Sequence, residues 1–175
     1  MLVRCLPLIK FNFSFIEREI RKKTFGILNT LNSDGTPHTT GILYGVSKTD
    51  TEFALYLLTS RKYRKVRNIQ RNPKVSFLIP FPHHHLRFVP SGTITLNGVA
   101  KLVPENTEDI IEIFSEKRIL KMIIADIDFE KDEEYVFIKI EPVSKILCYG
   151  IGFSIWKLRG SHTEGGYSVT IHAET

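Results

Sequence analysis

Between Thr93 and Leu102 the side chains alternate in character. Ile94, Leu96, Ala100 and Leu102 fall on one side, and Thr93, Thr95, Asn97 and Lys101 on the other. A period of two belongs to a strand with one buried face and one wet face. The pattern recurs along the chain. Phe25, Ile27 and Leu31 alternate with Gly26, Leu28 and Thr30, and Asn32-Ser33-Asp34-Gly35 follows as a turn. Residues 38–46, 53–59, 75–79, 135–140, 145–149 and 167–171 read as further strands. Many short strands must dispose of their edges, and closure into a barrel removes them. The expectation is therefore a mostly β, α+β chain built on an antiparallel barrel.

Helices are fewer. Ser14-Phe15-Ile16-Glu17 has the S-x-x-E form of a capping box and predicts a short helix with Ile16 and Ile20 on one face. Pro104 fits the first turn of an acidic helix carrying Ile110, Ile111 and Phe114. Residues 61–71 predict a third, strongly basic helix. At 175 residues the chain fits one domain, 1–175. Such a domain buries roughly 70% of its unfolded surface and needs no staples. Cys5 and Cys148 lack metal-ligand spacing, so two free thiols in a reducing compartment are expected. The apolar start is broken by Arg4, Pro7 and Lys10, and nowhere do 18 apolar residues run together. These features predict a soluble cytoplasmic protein with no membrane partner.

The charge is local. The formal net charge is +5, and seven of the 24 Lys and Arg residues lie between Arg61 and Lys74. The stretch Leu57-Leu58-Thr59-Ser60-Arg61-Lys62-Tyr63-Arg64-Lys65 runs from an apolar strand, through two hydroxyl residues, into the basic helix. A helix start offers free N–H groups and the positive end of the dipole, which suits a phosphate. Thr59 and Ser60 add hydroxyls there, and Arg64 and Lys65 add charge. A solvated face is the alternative. Nucleic acid is another, because six basic residues in eleven and Tyr63 could track a backbone and stack a base. No reader motif accompanies them.

The order of these motifs resembles the flavin-binding split barrels of the pyridoxamine 5′-phosphate oxidase-like superfamily. Residues 26–38 are similar to its opening hairpin with a D-G-x-P turn. Residues 57–69 are similar to its phosphate segment, Asn72-Pro73-Lys74-Val75-Ser76-Phe77 to its N-P-x-V-S strand, and residues 92–102 to the next strand with its central G-x-A. The resemblance implies a split β-barrel homodimer that binds FMN, or a deazaflavin coenzyme, and exchanges two electrons with a small-molecule substrate. It implies that Thr40, Gly41, Ile42 and Leu43 lie along the isoalloxazine ring. Leu58 and Thr59 would touch the ring's other polar edge, and Arg64 and Lys65 would hold the phosphate. Thr93 and Tyr149 would come from the partner subunit. No protein nucleophile is implied, since a flavin carries the chemistry.

Two departures bear on substrate. Thr40 stands where the vitamin B6 oxidases of that superfamily carry a phosphate-binding Arg, and Gly45 where they carry a Lys. Their C-terminal Arg-x-His pair is also missing, Arg159 and His162 being three apart. A flavin- or haem-binding protein of the same fold that turns nothing over is the alternative. His83-His84-His85 reads as a proline-flanked loop, with a metal or haem contact as the sharper reading. Phe153 to Trp156 could wall a flat ligand, and the acidic run 126–134 reads as a solvated linker that lacks the pattern of a calcium loop.

Overall fold

Strands β1 (Phe25–Leu31), β2 (Pro37–Val46), β3 (Leu55–Ser60), β4 (Lys74–Phe81), β5 (Gly92–Val103), β6 (Tyr135–Tyr149) and β7 (Gly166–Thr170) form one antiparallel sheet. Their order is β3-β2-β1-β4-β5-β6-β7, and β3 also pairs with β6. That last ladder joins the two ends of a six-strand run, so the first six strands close into a barrel and β7 lies outside the closure. The expected split barrel is what forms. The computed structural model describes residues 11–82, 91–103, 108–125, 127, 134–153 and 165–171. Cys5, His83–His85, Pro104, residues 126 and 128–133 of the acidic run, Trp156, Arg159 and His162 lie outside them.

The barrel interior is filled by the inward half of each alternation, including Leu28, Tyr44, Leu57, Phe77, Ile79, Ile94, Leu96 and Ile140, all without exposed surface. Tyr44 and Phe77 meet edge to face with ring centroids 5.3 Å apart. In β1 the inward face is Gly26, Leu28 and Thr30, which leaves Phe25, Ile27 and Leu31 on the outside. Helix α1 (Phe13–Arg21) packs Ile16 and Ile20 into the same core, and the buried Tyr44 hydroxyl donates to the Ile20 carbonyl at 2.8 Å. Its cap differs from the predicted one. Asn12 begins the helix, with Oδ1 accepting from Phe15 N–H at 3.0 Å. Asn caps as well as Ser does, so the start moves upstream and Glu17 pairs with Arg21 instead.

Helix α2 (Arg64–Arg71) follows β3, and helices α3 (Glu108–Ser115) and α4 (Arg118–Ala125) lie between β5 and β6. Ile110, Ile113, Phe114, Leu120 and Ile124 form a second core with Phe137. Leu43, Tyr56 and Leu58 pack against it, so this helix pair covers the outside of the barrel at β2, β3 and β6. Helix α4 has no counterpart in the sequence reading. Ile119, Met122 and Ile123 stay exposed while Leu120 and Ile124 are buried, so no clean apolar stripe marks it.

The two strands predicted over 135–140 and 145–149 are one strand of 15 residues, β6. Its first part pairs with β3 and its last part with β7. Pro142 sits between them, opposite Gly98, where the β5–β6 register shifts. A proline is tolerated at such a bulge because the ladder is already interrupted. A Cβ on Gly98 would stand 2.5 Å from the Glu141 carbonyl oxygen, so only glycine lets the bulged strand come this close.

Candidate flavin-phosphate site

Strand β3 ends on Thr59 and Ser60, both buried, and the chain turns at once into α2. A hydrogen-bonded knot holds the turn. Ser60 Oγ accepts from Lys62 N–H at 3.2 Å and donates to Glu134 Oε1 at 3.0 Å. The other carboxylate oxygen accepts from Lys62 Nζ at 2.7 Å, and Arg61 N–H donates to the Glu134 carbonyl at 2.7 Å. The Lys62 ammonium, then the Ser60 hydroxyl, hold the Glu134 carboxyl below its ordinary range. The hydroxyl proton of Ser60 is therefore directed to Glu134. Glu134 is the positioning residue that sequence reasoning missed. Its only signal is that it is the last acid of the run before the strand.

Helix α2 begins in an electrostatically unfavourable way. Its N-cap, Tyr63, makes no side-chain cap bond, and no acidic residue lies in the first turn. Arg64 and Lys65 occupy that turn, where the dipole disfavours cations by about 0.3–1 kcal/mol each. Lys65 is only 9% exposed. Its ammonium lies 4.7 Å from the Tyr63 ring centroid, and burial pushes its pKa below the ordinary lysine value. Among the described residues no carboxylate pairs with Arg64, Lys65 or Arg67. A lysine whose chain is covered by the fold, and whose ammonium meets no carboxylate among the described residues at the positive end of a helix, is arranged for an incoming anion.

Beside it the barrel is split. The β2–β3 ladder runs only through Tyr44–Leu57, Gly45–Tyr56 and Val46–Leu55. Beyond it, residues 40–43 pair with β1 on one side and with no strand of the described residues on the other, while 58–60 pair with β6. The free edge of β2 thus offers backbone N–H and C=O groups along Thr40, Gly41, Ile42 and Leu43. The side chain of Ile42 lies in the barrel core, and those of Leu43 and Leu58 pack under α3 and α4. Gly41 is exposed, its Cα close under the Phe25 ring. Thr93 and Tyr149 are direct cross-strand partners on β5 and β6, both half-buried. They do not line the cleft beside α2.

Two further observations concern charge. A Cβ on Gly45 would meet Ile113 Cγ2 of α3 at 2.7 Å, so that position faces a packed helix. A cleft of about 330 Å³ lies between the β1–β2 turn and α2, lined by Asn32, Ser33, Asp34, Arg64, Arg67, Asn68 and Arg71. No group of three His, Cys, Asp or Glu residues that could hold a metal occurs among the described residues. No helix among them is long and apolar enough to cross a membrane.

The family profile described as pyridoxamine 5′-phosphate oxidase matches residues 15–144, which span the whole barrel from α1 into β6. The chain belongs to that family. Among solved structures, the haem storage protein HutZ from Vibrio cholerae superposes with a TM-score of 0.59 at 18% identity, over 78% of this chain and 94% of that one. A haem-binding protein from Mycobacterium smegmatis superposes at 0.60 and 19% identity, over 85% of this chain and 53% of that one. A FAD-binding protein from Mesorhizobium loti superposes at 0.55 and 17% identity, over 78% and 92%. At these identities the likeness shows the fold. None of the curated proteins matches the chain. The chain thus has the fold of a pyridoxamine 5′-phosphate oxidase family member, one that other proteins use for flavins and for haem.

Proposed function

We propose that this family member is a homodimeric, cytoplasmic oxidoreductase that binds FMN, with a deazaflavin coenzyme as the closest variant. The observation that carries the reading is Lys65, largely buried and without a carboxylate partner among the described residues at the uncapped start of α2. Lys65 and Arg64 would grip the phosphate, and the unpaired edge of β2 over residues 40–43 would meet the polar rim of the ring. Glu134 fixes the turn through Ser60 and Lys62. When bound, FMN supplies two-electron transfer, and the protein supplies grip, orientation and exclusion of water. The substrate would be a small redox-active molecule.

The dimer reading rests on the outside of the sheet. Gly41, Ile27, Leu78, Thr95 and Leu147 form one cross-strand row over β2, β1, β4, β5 and β6. Phe25 and Leu147 on this face are 48% and 47% exposed. A second copy seated here would cover the apolar row and bring its Thr93 and Tyr149 toward the ring edge at Gly41. Pyridoxine phosphate is disfavoured as substrate, because Thr40 and Gly45 remove two cations and α3 fills the space in front of Gly45.

The test is direct. The purified protein is inspected for a flavin spectrum, apo-protein is titrated with FMN, and light scattering gives its mass with ligand bound. A yellow dimer with 1:1 FMN per chain supports the reading, and a protein that ignores FMN refutes it. A second reading draws on HutZ, described as a haem storage protein: a binder of flavin or haem that turns nothing over. A bound chromophore with no turnover of any nicotinamide or deazaflavin partner would favour it.

A further inference from the structure

We infer that the cleft between the β1–β2 turn and α2 is a second anion site, built for a diphosphate-type group beyond the reach of Lys65. Arg64, Arg67 and Arg71 are spaced i, i+3 and i+7, so their guanidiniums crowd one face of the helix and line the cleft. Like charges at such spacing destabilise a helix, and no salt bridge among the described residues relieves them. Asp34 on the opposite wall is within electrostatic reach of Arg64 but forms no ion pair with it among the described residues. Its Oδ1 is taken by the Thr36 N–H at 2.9 Å and the Thr36 hydroxyl at 2.6 Å.

The cleft has a rigid floor. Asn68 has no exposed surface. Its amide donates to Thr30 Oγ1 at 3.0 Å and to Asn32 Oδ1 at 3.1 Å, and its oxygen accepts from Arg71 Nη2 at 3.0 Å. One nitrogen of Arg71 is thereby tied down, leaving its remaining donors for a ligand. An arginine fork held by a buried amide is pre-organised for phosphate oxygens. Arg67 stands one turn before it and has no carboxylate partner among the described residues, which gives two guanidiniums on one face of the helix for two linked phosphates. A volume of about 330 Å³ holds such a group with part of what it is attached to. Lys65 is not among the lining residues, so the site adjoins the phosphate grip at the start of α2 and shares only Arg64 with it.

Two sources share this chemistry: a free phosphorylated small molecule, or the outer, AMP-side phosphate of an extended flavin such as FAD, whose inner phosphate would lie at the start of α2. The experiment is calorimetric titration of inorganic pyrophosphate into the protein as purified, at physiological salt. It is repeated on the Arg67→Gln/Arg71→Gln double variant and on Lys121→Gln, an exposed cation of α4 outside the cleft. The double variant should weaken pyrophosphate at least about tenfold, the loss expected for charge-assisted bonds. Lys121→Gln should bind pyrophosphate as wild type does. If FAD is the source, FAD should bind more tightly than FMN, and the double variant should remove only that advantage. If the source is free, ADP should displace pyrophosphate from FMN-loaded protein. Undetectable pyrophosphate binding, equal affinity in wild type and double variant, or displacement by a single-stranded oligonucleotide with a steep salt dependence would each overturn the inference.

Discussion

Replacing Lys65 with methionine separates two effects that usually travel together. The thioether chain keeps most of the buried volume and removes the charge. In the apo-protein that charge faces only the Tyr63 ring, because Lys65 is 9% exposed, has no carboxylate partner among the described residues and sits in the first turn of α2. Losing a cation from that position relieves about 0.3–1 kcal/mol of dipole repulsion, offset in part by the lost ring contact. For a domain of this size the melting temperature should hold or rise by at most about 4 °C. FMN binding should move the other way. A charge-assisted bond to phosphate is worth about 1.5–3 kcal/mol, so the dissociation constant should rise about ten- to hundred-fold. Apo-protein melting and flavin-fluorescence titration read the two signs independently. A lysine that merely packs would lower the melt and leave the affinity alone, and that outcome would refute the reasoning. The pH dependence follows from the same burial. The folded pKa lies below 10.5, so the ammonium is lost early as pH rises, and FMN affinity should fall before an ordinary lysine would titrate. The sign for stability is opposite. The penalty of the buried charge is present below the folded pKa and fades as pH rises through it toward 10.5.

Gly45→Lys should destabilise the fold by about 1–3 kcal/mol in urea, since its Cβ would meet Ile113 Cγ2 at 2.7 Å, and Ile113→Ala in the same chain should restore part of that. An unchanged midpoint would show that α3 yields easily there. Leu147→Glu, at the β6 end of the outer row, should convert a flavin-loaded dimer into monomers by light scattering and weaken FMN with it. A dimer that persists with FMN bound would move the interface elsewhere. Flavin-loaded protein should release little or no hydrogen peroxide when given pyridoxine 5′-phosphate, because desolvating that phosphate finds too few cations. Steady release at a rate typical of enzymes would show that the missing residues do not decide the substrate.

Much of the barrel can be read from residue order, because a strand with one buried face writes its period into the sequence. Residues 94–102 and 25–31 announce their faces, and Asn32–Gly35 announces the hairpin. The basic run at 61–71 announces a cationic helix. Those are local properties, set by side-chain alternation and backbone preference. What the sequence could not fix is which residues meet across long separations. Glu134 locks the turn at Ser60 from 74 residues away. Asn68 reads as a polar interruption between Val66 and Ile69, yet it ties α2 to the hairpin 38 residues before it. Pro142 reads as a break between two strands, but opposite the Gly98 bulge it bends one continuous strand that serves both β3 and β7. Helix α4 is apolar on both sides and gives no period to read. The sequence by itself therefore determined the strands, their buried faces and the cationic helix start. Only the tertiary structure decided where the barrel splits and that Lys65 lies buried with no acid of the described residues beside it, because both depend on how far the β2–β3 ladder runs and on which acids the closed barrel brings within reach.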